Sequence, residues 1–215
     1  SKEAKQLGIK AGTPYFQLKQ LYPNTKIEAF SSNYELYGEI TGRVMTIIRD
    51  MTPRCFRYSI DEAFAVLDGF STEQLRDWGE QLHDRIQMSV GMPISIGIAR
   101  TKTLAKMASH FAKKYPGYNH VCIIDSEEQR LKAARLYPIG EIWGIGRRYQ
   151  ARLEAMGIRT AHDFASHSAS WVRSTFKTVV IERTWAELNG TDCIPDDIPK
   201  RKKSICTSRS FEGIV

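Results

Sequence analysis

The sequence predicts an α+β protein, because its hydrophobic pattern changes character along the chain. Apolar and polar residues alternate over residues 56–60, and a short apolar run follows at residues 63–67. Both patterns are typical of strands. Helical spacing surrounds them, and beyond about residue 125 only helical spacing remains. We therefore expect a mixed unit of strands and helices, followed by a small all-helical unit that begins near Asp125.

The ends of the elements follow from local signals. Ser71 and Thr101 precede helical patterns and suit helix N-caps, while Pro53 ends a helical pattern. The expected elements are a helix ending at Gly8, a helix from Thr13 to about Leu21, a strand at residues 27–30, helices over residues 33–51 and 71–87, a strand at residues 94–98, a helix over residues 101–114 and a strand at residues 121–124. From residue 193 onward, prolines and charges predict a linker.

Composition disfavours membrane and secreted proteins. The 215 residues carry 31 Lys and Arg against 24 Asp and Glu, a net charge of +7, and 42% are hydrophobic. Such a chain buries a core, and no apolar run approaches the roughly 20 residues that a membrane span needs. The charged first residues show no signal peptide, and the four cysteines lack paired metal or redox spacing. We therefore expect a cytoplasmic protein with reduced thiols and no membrane partner.

The basic residues are clustered. No acidic residue lies between Asp84 and Asp125, a stretch that carries six of the basic residues, and two further clusters occur. Those two clusters are the arginines Arg147, Arg148, Arg152 and Arg159, and the run from Lys200 to Lys203. A solvated surface would explain any one of them. Three clusters beside glycine-containing turns or loops favour contacts with nucleic-acid phosphates.

An acidic pair, Asp61-Glu62, stands between the two strand patterns. One interpretation is an ordinary hairpin turn, although such turns favour Asn-Gly or Asp-Gly. The other is a bend that brings both carboxylates to one edge, where they would share a hard cation such as Mg²⁺. An acidic dipeptide alone does not decide between the two.

A Gly-Ile-Gly turn, Gly144 to Gly146, opens the helix that begins with Arg147 and Arg148. With the later turn at Gly157, it outlines a helix–hairpin–helix. Backbone N–H groups at a helix start suit a phosphate, so this turn would contact a nucleic-acid backbone without reading bases. A tight connection between packed helices would need the same glycines.

The basic helix over residues 101–114 has an apolar stripe that leaves Lys102, Lys106 and Lys113 to reach solvent or a polyanion. His110 lies near the line of lysines and is expected to be a bystander. No spacing assembles a Ser/His/Asp or Cys/His set, so a nucleophilic enzyme is disfavoured.

Several strings of residues resemble motifs of the Y-family translesion DNA polymerases. Residues 58–64 (YSIDEAF) resemble the central palm motif, residues 95–106 the next strand and helix, and residues 138–148 the helix–hairpin–helix of the thumb. Residues 31–37 and 206–211 resemble the UmuC branch, which includes the catalytic subunit of DNA polymerase V. The motifs occur in order along essentially the whole chain.

The resemblance implies a partial right-hand polymerase. Its expected parts are partial fingers at residues 1–26, an incomplete palm at 27–125, a thumb at 126–192 and, at 193–215, a linker towards a little-finger domain. It also implies template-directed, error-prone synthesis past damaged bases during SOS mutagenesis, in the bacterial cytoplasm and on the nucleoid when active. Primer–template DNA and a deoxynucleoside triphosphate are the implied partners, with UmuD′, RecA and the sliding clamp mostly through other regions.

The resemblance assigns roles residue by residue. Asp61 and Glu62 match two of the three acidic ligands that hold two Mg²⁺ ions, and Ser59 would support them. Lys5 in the fingers and Lys113 in the palm fall where the family contacts the incoming triphosphate. The expected DNA contacts, combining the thumb motif with the charge pattern, are Gly144, Gly146, Arg147, Arg148, Lys102 and Lys106.

The chain also departs from the family pattern. The family's opening strand, with its first metal-ligand aspartate and a ribonucleotide-excluding aromatic residue, has no match, because the sequence starts inside the fingers. We therefore expect weak, salt-sensitive DNA binding and negligible primer extension by these residues alone. The alternative is a non-catalytic DNA-binding module that uses the helix–hairpin–helix and the basic helix. An unrelated nucleotidyl cyclase would leave the thumb motif unexplained.

Overall fold

The computed structural model describes residues 1–196 and 204–207. It is mixed α/β and mostly helical, and it divides into two compact units, Ser1–Glu35 and the chain from Leu36 onward. The strands are β1 Cys55–Arg57, β2 Ala63–Ala65, β3 Ile96–Ala99 and β4 Val121–Ile124. The helices are α1 Lys2–Gln6, α2 Tyr15–Leu21, α3 Tyr34–Met51, α4 Thr72–Val90, α5 Lys102–Lys114, α6 Glu127–Leu136, α7 Arg147–Ala155, α8 Ala161–Ala165, α9 Ala169–Phe176 and α10 Val179–Leu188.

The unit Ser1–Glu35 contains α1 and α2, both of which the sequence predicts. The hydroxyl of Tyr22 donates to the carbonyl of Leu7 (2.8 Å) and ties the two helices together. The strand expected at residues 27–30 is wrong, because this segment has no regular structure. A segment this short becomes a strand only when a neighbour accepts its backbone hydrogen bonds, and the described strands pair only with one another.

Two small sheets form the strand part of the larger unit. β1 and β2 make an antiparallel hairpin in which Phe56 is paired with Phe64. β3 and β4 are parallel, with Ile96 opposite Val121, and α5 makes the crossover between them. These strands confirm the sequence-based pattern with shifts of a few residues at their ends. Residues 126–188 are helical as expected, apart from one isolated bridge between Pro138 and Thr160.

Helix α5 lies directly on β3 because Gly97 has no side chain. A Cβ atom at Gly97 would lie 2.0 Å from the carbonyl oxygen of Ala105 and 2.2 Å from the backbone nitrogen of Ser109. Neither backbone atom could move aside without breaking the helix. Glycine at this position therefore sets the distance between the strand and the helix.

Two hydrophobic clusters lie in the core. The smaller one packs α3 against α4 through Ile47, Trp78, Leu82 and Ile86. The larger one is continuous from the apolar stripe of α5, through β4, into α6 to α10. Helix α5 is thus shared between the strand part and the all-helical part. Each helix in the described part of the chain is too short or too polar to span a bilayer.

The start of α5 is joined to the end of α10 by a buried carboxylate. Glu187 is 0% exposed, and its Oε2 accepts hydrogen bonds from the backbone N–H (2.7 Å) and the hydroxyl (2.8 Å) of Thr103. Its Oε1 accepts from the N–H of Ile194 (3.0 Å), and its carbonyl accepts from the hydroxyl of Thr101 (3.0 Å). The carboxylate therefore satisfies an N–H group at the start of α5, where negative charge is favourable, and a second one in the segment after α10.

Glu187→Ala should lower the free energy of unfolding by about 2–4 kcal/mol, because it leaves the buried donors of Thr103 and the partly buried N–H of Ile194 without an acceptor. Urea denaturation of both proteins, followed by circular dichroism, measures the loss. Glu187→Gln keeps one acceptor oxygen and should lose less. Equal stability of Glu187→Ala and the parent protein would show that the junction contributes nothing.

Candidate functional site

The acidic pair lies in the connection of the β1–β2 hairpin. The N–H groups of Tyr58 and Ser59 both donate to the carbonyl of Glu62, at 2.9 and 3.1 Å, and close a loop longer than a two-residue turn. None of the loop residues has a positive φ. The longer loop therefore accommodates Asp61 and Glu62 without the glycine that a tighter turn would need.

Both carboxylates are exposed and meet at one hydroxyl. Ser59 Oγ donates to Asp61 Oδ1 (2.8 Å) and lies 3.5 Å from Glu62 Oε2. The backbone N–H of Asp61 points back to the same Oγ (3.4 Å). Ser59 thus holds the two acidic side chains on the same side of the loop.

Lys106 of α5 reaches the acidic pair. Its Nζ lies 2.9 Å from Glu62 Oε1, and its side chain is only 22% exposed. The ammonium also lies over two aromatic rings, 4.9 Å from the centre of Tyr58 and 5.2 Å from that of Trp143. This is a cation held by one carboxylate and two ring faces.

Trp143, from the all-helical part, packs on the hairpin. Its Nε1 donates to the hydroxyl of Tyr58 (2.9 Å), and the two rings meet edge to face at 5.3 Å. The ring of Phe64 lies 5.7 Å away. We call Tyr58, Phe64 and Trp143 the aromatic contact. It joins the acidic loop to the residue immediately before the Gly-Ile-Gly turn.

The Gly-Ile-Gly turn has the geometry of an open helix start. Gly144 has φ +92°, and a Cβ there would lie 2.7 Å from the hydroxyl oxygen of Thr184. Ile145 is buried, and Gly146 is the N-cap of α7 without a side chain to occupy its N–H groups. Arg147 and Arg148 follow and are exposed. These features suit a phosphate.

The segment before this turn differs from a regular helix–hairpin–helix, because residues Ile139–Glu141 form a single 3₁₀ turn. The later turn at Gly157 connects α7 to α8, as the glycine spacing predicts.

Thr160 and Asp163 cap α8 reciprocally. Asp163 Oδ2 accepts from the N–H groups of Arg159 (3.0 Å) and Thr160 (2.9 Å), and Thr160 Oγ1 accepts from the N–H of Asp163 (3.1 Å).

The other predicted basic residues are dispersed. Lys102 is 14% exposed and is held by Asp196 (3.1 Å), Asp192 (3.5 Å) and the carbonyl of Ile194 (2.7 Å). Partial burial by itself would lower the pKa of Lys102, but Asp196 and the neighbouring acids raise it. Lys113 is exposed at the end of α5, and Lys5 is exposed in the separate unit Ser1–Glu35.

Sequence reasoning placed Tyr58 and Trp143 within motifs but gave neither a role of its own, and it did not single out Glu187. For Trp143, the position directly before the Gly-Ile-Gly turn was a signal of a packing role, because a large aromatic side chain there is expected to pack against another part of the protein. Glu187 has no such signal, since its partners in α5 are distant in sequence.

The donor chemistry fits a hard cation in part. Two exposed carboxylates and a hydroxyl offer the oxygen ligands that Mg²⁺ prefers. Among residues 1–196 and 204–207, however, no group of three or more His, Cys, Asp or Glu side chains is arranged to hold a metal ion. Asp61 and Glu62 would therefore supply part of a magnesium site.

Comparisons with known protein sequences all point to one family. The family profile described as impB/mucB/samB matches residues 1–110. The chain is 41% identical to the protein UmuC of Salmonella typhimurium and 37% identical to the protein MucB of Escherichia coli, over 98% and 97% of its length. It spans about half the length of these curated relatives, since it covers 50% of each.

Solved structures show the same fold at lower identity. An insertion ternary complex of Dbh DNA polymerase matches 89% of this chain and 55% of its own with a TM-score of 0.70 and 23% identity. A DinB family error-prone DNA polymerase from Sulfolobus solfataricus matches 88% of this chain and 56% of its own with a TM-score of 0.71 and 22% identity. The described fold is therefore that of a Y-family polymerase core.

The cap of α8 should make stability depend on pH. Partial burial alone would raise the pKa of Asp163, but the N–H groups of Arg159 and Thr160 lower it below its ordinary value. A carboxyl whose pKa is lowered by folding stabilises the fold above its unfolded pKa of about 4 and loses this contribution as the pH falls. Asp163→Asn should therefore cost about 0.5–2 kcal/mol at pH 7, as helix caps do.

The difference in melting temperature between Asp163→Asn and the parent protein, measured from pH 7 down to pH 3, tests this prediction. The two curves should converge at the acidic end. A difference that stays constant with pH would mean that the ionised carboxylate is not what caps the helix.

Proposed function

Because the chain belongs to the impB/mucB/samB family, the UmuC-type branch of the Y-family DNA polymerases, we propose that it forms part of the catalytic core of a translesion polymerase. The proposed reaction is template-directed nucleotidyl transfer past damaged bases, as part of error-prone repair during SOS mutagenesis. The substrates would be primer–template DNA and a deoxynucleoside triphosphate. One observation carries this proposal. The hydroxyl of Ser59 lies between Asp61 and Glu62, and their loop is in contact with Trp143, the residue directly before the Gly-Ile-Gly turn.

Asp61 and Glu62 would hold Mg²⁺ in the complete enzyme. Bound there, the metal would lower the pKa of the primer 3′-hydroxyl and stabilise the charge on the leaving pyrophosphate. Ser59 would keep the two carboxylates on one side of the loop, as it does in the described structure. The rigid hairpin below them, with its Phe56–Phe64 stacking at 5.5 Å, would limit their movement.

The remaining roles follow from exposure. Lys5 and Lys113, both exposed, would contact the triphosphate, and Arg147 and Arg148 with the N–H groups beside Gly144 and Gly146 would contact the DNA backbone. Lys102 and Lys106 are left out of the proposed DNA contacts. Their ammonium groups already lie on carboxylates of the chain itself.

The relatives also bear on location and further partners. From the UmuC-type family we propose that the whole protein is located in the bacterial cytoplasm. We also propose that it binds UmuD′, RecA and the sliding clamp. The proposed division into fingers, palm, thumb and linker, at residues 1–26, 27–125, 126–192 and 193–215, comes from the same resemblance. Residues 197–203 and 208–215 of the proposed linker lie outside the described residues.

A second candidate is a DNA-binding module without catalysis. It is favoured by one observation, that no third ligating side chain joins Asp61 and Glu62 in the described part of the chain. Both candidates predict DNA binding through α7, so DNA binding does not separate them. Primer extension does.

These 215 residues alone should extend a primer negligibly with Mg²⁺, because two carboxylates hold the metal incompletely and small misplacements cost about 10²-fold in rate. Fused to the opening segment of the Salmonella relative, which would supply an aspartate, the chain should extend primers. In the fusion, Asp61→Asn or Glu62→Gln should each lower single-turnover extension by about 10²-fold or more. Gel-resolved extension of a labelled primer measures both.

Three results would contradict this proposal. Robust extension by the 215 residues would show that they hold the metals by themselves. Full activity of the fusion carrying either substitution would show that the acidic pair does not bind metal. A fusion that folds and binds DNA without any extension would favour the non-catalytic module.

Replacing both Arg147 and Arg148 by Gln should weaken binding to primer–template DNA and reduce the slope of log K against log salt by about 1–2, since each phosphate contact contributes about 0.9. Fluorescence anisotropy over a range of salt concentrations gives the slope. The matched control replaces Lys132 and Arg135, two exposed basic residues of α6, by Gln. Equal effects of the two double variants would mean that general charge, and not the turn, binds the DNA.

A further inference from the structure

A cation already stands at one of the proposed metal ligands. Lys106 Nζ lies 2.9 Å from Glu62 Oε1, and its side chain is 22% exposed while that of Glu62 is 44% exposed. The ammonium has three partners within reach: this carboxylate, the ring of Tyr58 and the ring of Trp143. Charge-assisted contacts of this kind are stronger than those of a fully solvated lysine.

We propose that Lys106 is a positioning residue whose ammonium is the resident counter-ion of Glu62. A metal ion that binds the acidic pair must displace this ammonium. The displacement removes one of the contacts that hold Trp143 on the hairpin. The proposal rests on the proposed metal role of Asp61 and Glu62. It adds a link between that role and the Gly-Ile-Gly turn of the proposed thumb, because Trp143 directly precedes Gly144.

The first step of the argument is electrostatic. Asp61 and Glu62 carry two negative charges, and Lys106 neutralises one of them. A divalent or trivalent cation on Glu62 would lie within a few ångströms of the ammonium, and like charges at that distance repel strongly even under protein screening. The ammonium and the metal therefore compete for the same carboxylate.

The second step is mechanical. The neighbours of Lys106 in α5, Leu104 and Met107, are 2% and 1% exposed, so the helix itself is fixed in the core. The four-carbon side chain of Lys106 is flexible, and it is the part that moves when the carboxylate is taken. Its displacement withdraws the cation from the faces of Tyr58 and Trp143.

The third step concerns the thumb. Without Lys106, Trp143 keeps its hydrogen bond to Tyr58 and its ring contacts with Tyr58 and Phe64. The aromatic contact is therefore loosened and not lost. Because coupling between two sites is reciprocal, whatever holds Trp143 more firmly on the hairpin also makes Lys106 harder to displace.

A titration with Tb³⁺ tests the competition. Tb³⁺ is a hard, oxygen-seeking cation whose luminescence is excited through nearby Tyr and Trp rings, here Tyr58 and Trp143. Lys106→Met should bind Tb³⁺ at least about fivefold more tightly than the parent chain, because a competing charge is gone. The matched control is Lys114→Met, which removes an ammonium that lies 5.4 Å over the ring of Tyr115 on the same helix, and it should leave the affinity unchanged.

The outcomes separate this proposal from the proposed function. Equal or weaker Tb³⁺ binding by Lys106→Met, with binding abolished by Asp61→Asn or Glu62→Gln, would overturn the counter-ion role and leave the metal site intact. Unchanged Tb³⁺ binding by both acidic variants would overturn the metal site and this proposal with it. If Lys106→Met does not fold, as judged by circular dichroism, Lys106→Gln replaces it in the same titration.

The link to the thumb has its own readout, the ¹⁹F resonance of Trp143 in the chain labelled with 5-fluorotryptophan, assigned by its loss in Trp143→Phe. Adding Mg²⁺ should shift this resonance in the parent chain and in Lys114→Met. In Lys106→Met the shift should be largely absent, since no ammonium leaves the ring. A shift of equal size in Lys106→Met, or none in a parent chain that binds Mg²⁺, would show that Lys106 does not couple the two parts.

Discussion

The buried carboxylate of Glu187 is the interaction on which the rest of the larger unit depends. A charge that is 0% exposed destabilises a fold unless donors surround it, and here the backbone and hydroxyl of Thr103 and the N–H of Ile194 do so. These donors come from the start of α5 and from the segment after α10. The carboxylate therefore fixes the end of the all-helical part to the start of the helix that carries Lys106.

Helix α5 meets its neighbours at two levels of different chemistry. At its start, charges dominate, with Glu187 on Thr103 and with Lys102 on Asp192 and Asp196. One turn further on, Lys106 meets a carboxylate and two rings. At the first level Glu187 and Thr103 are buried while Asp192 and Asp196 are exposed, and at the second level Lys106 and Glu62 are both partly exposed. The contact that includes Trp143, the residue before the Gly-Ile-Gly turn, is therefore less buried than the contact between Glu187 and Thr103.

The sequence predicted those features of the fold that depend on residues close together in the chain. The caps at Ser71 and Thr101 and the strand Val121–Ile124 are confirmed, because capping and burial leave local patterns. The strand expected at residues 27–30 is wrong, since strand formation depends on a partner that no local pattern reveals. The resemblance located the acidic pair, but not its counter-ion. Lys106 and Glu62 meet only through the tertiary fold, and helical periodicity indicates no more than that Lys106 leaves the apolar stripe.

The net charge of the sequence also does not reveal which basic residues are paired in the fold. A charge of +7 counts every lysine equally, yet Lys102 and Lys106 are neutralised by acids of the chain itself, whereas Arg147 and Arg148 are exposed beside an open helix start. Only cations of the second kind release counterions when DNA phosphates bind. Arg147 and Arg148 at the Gly-Ile-Gly turn therefore present positive charge to an anion, whereas Lys106 of α5 lies on Glu62 and on the ring of Trp143, beside the acidic loop.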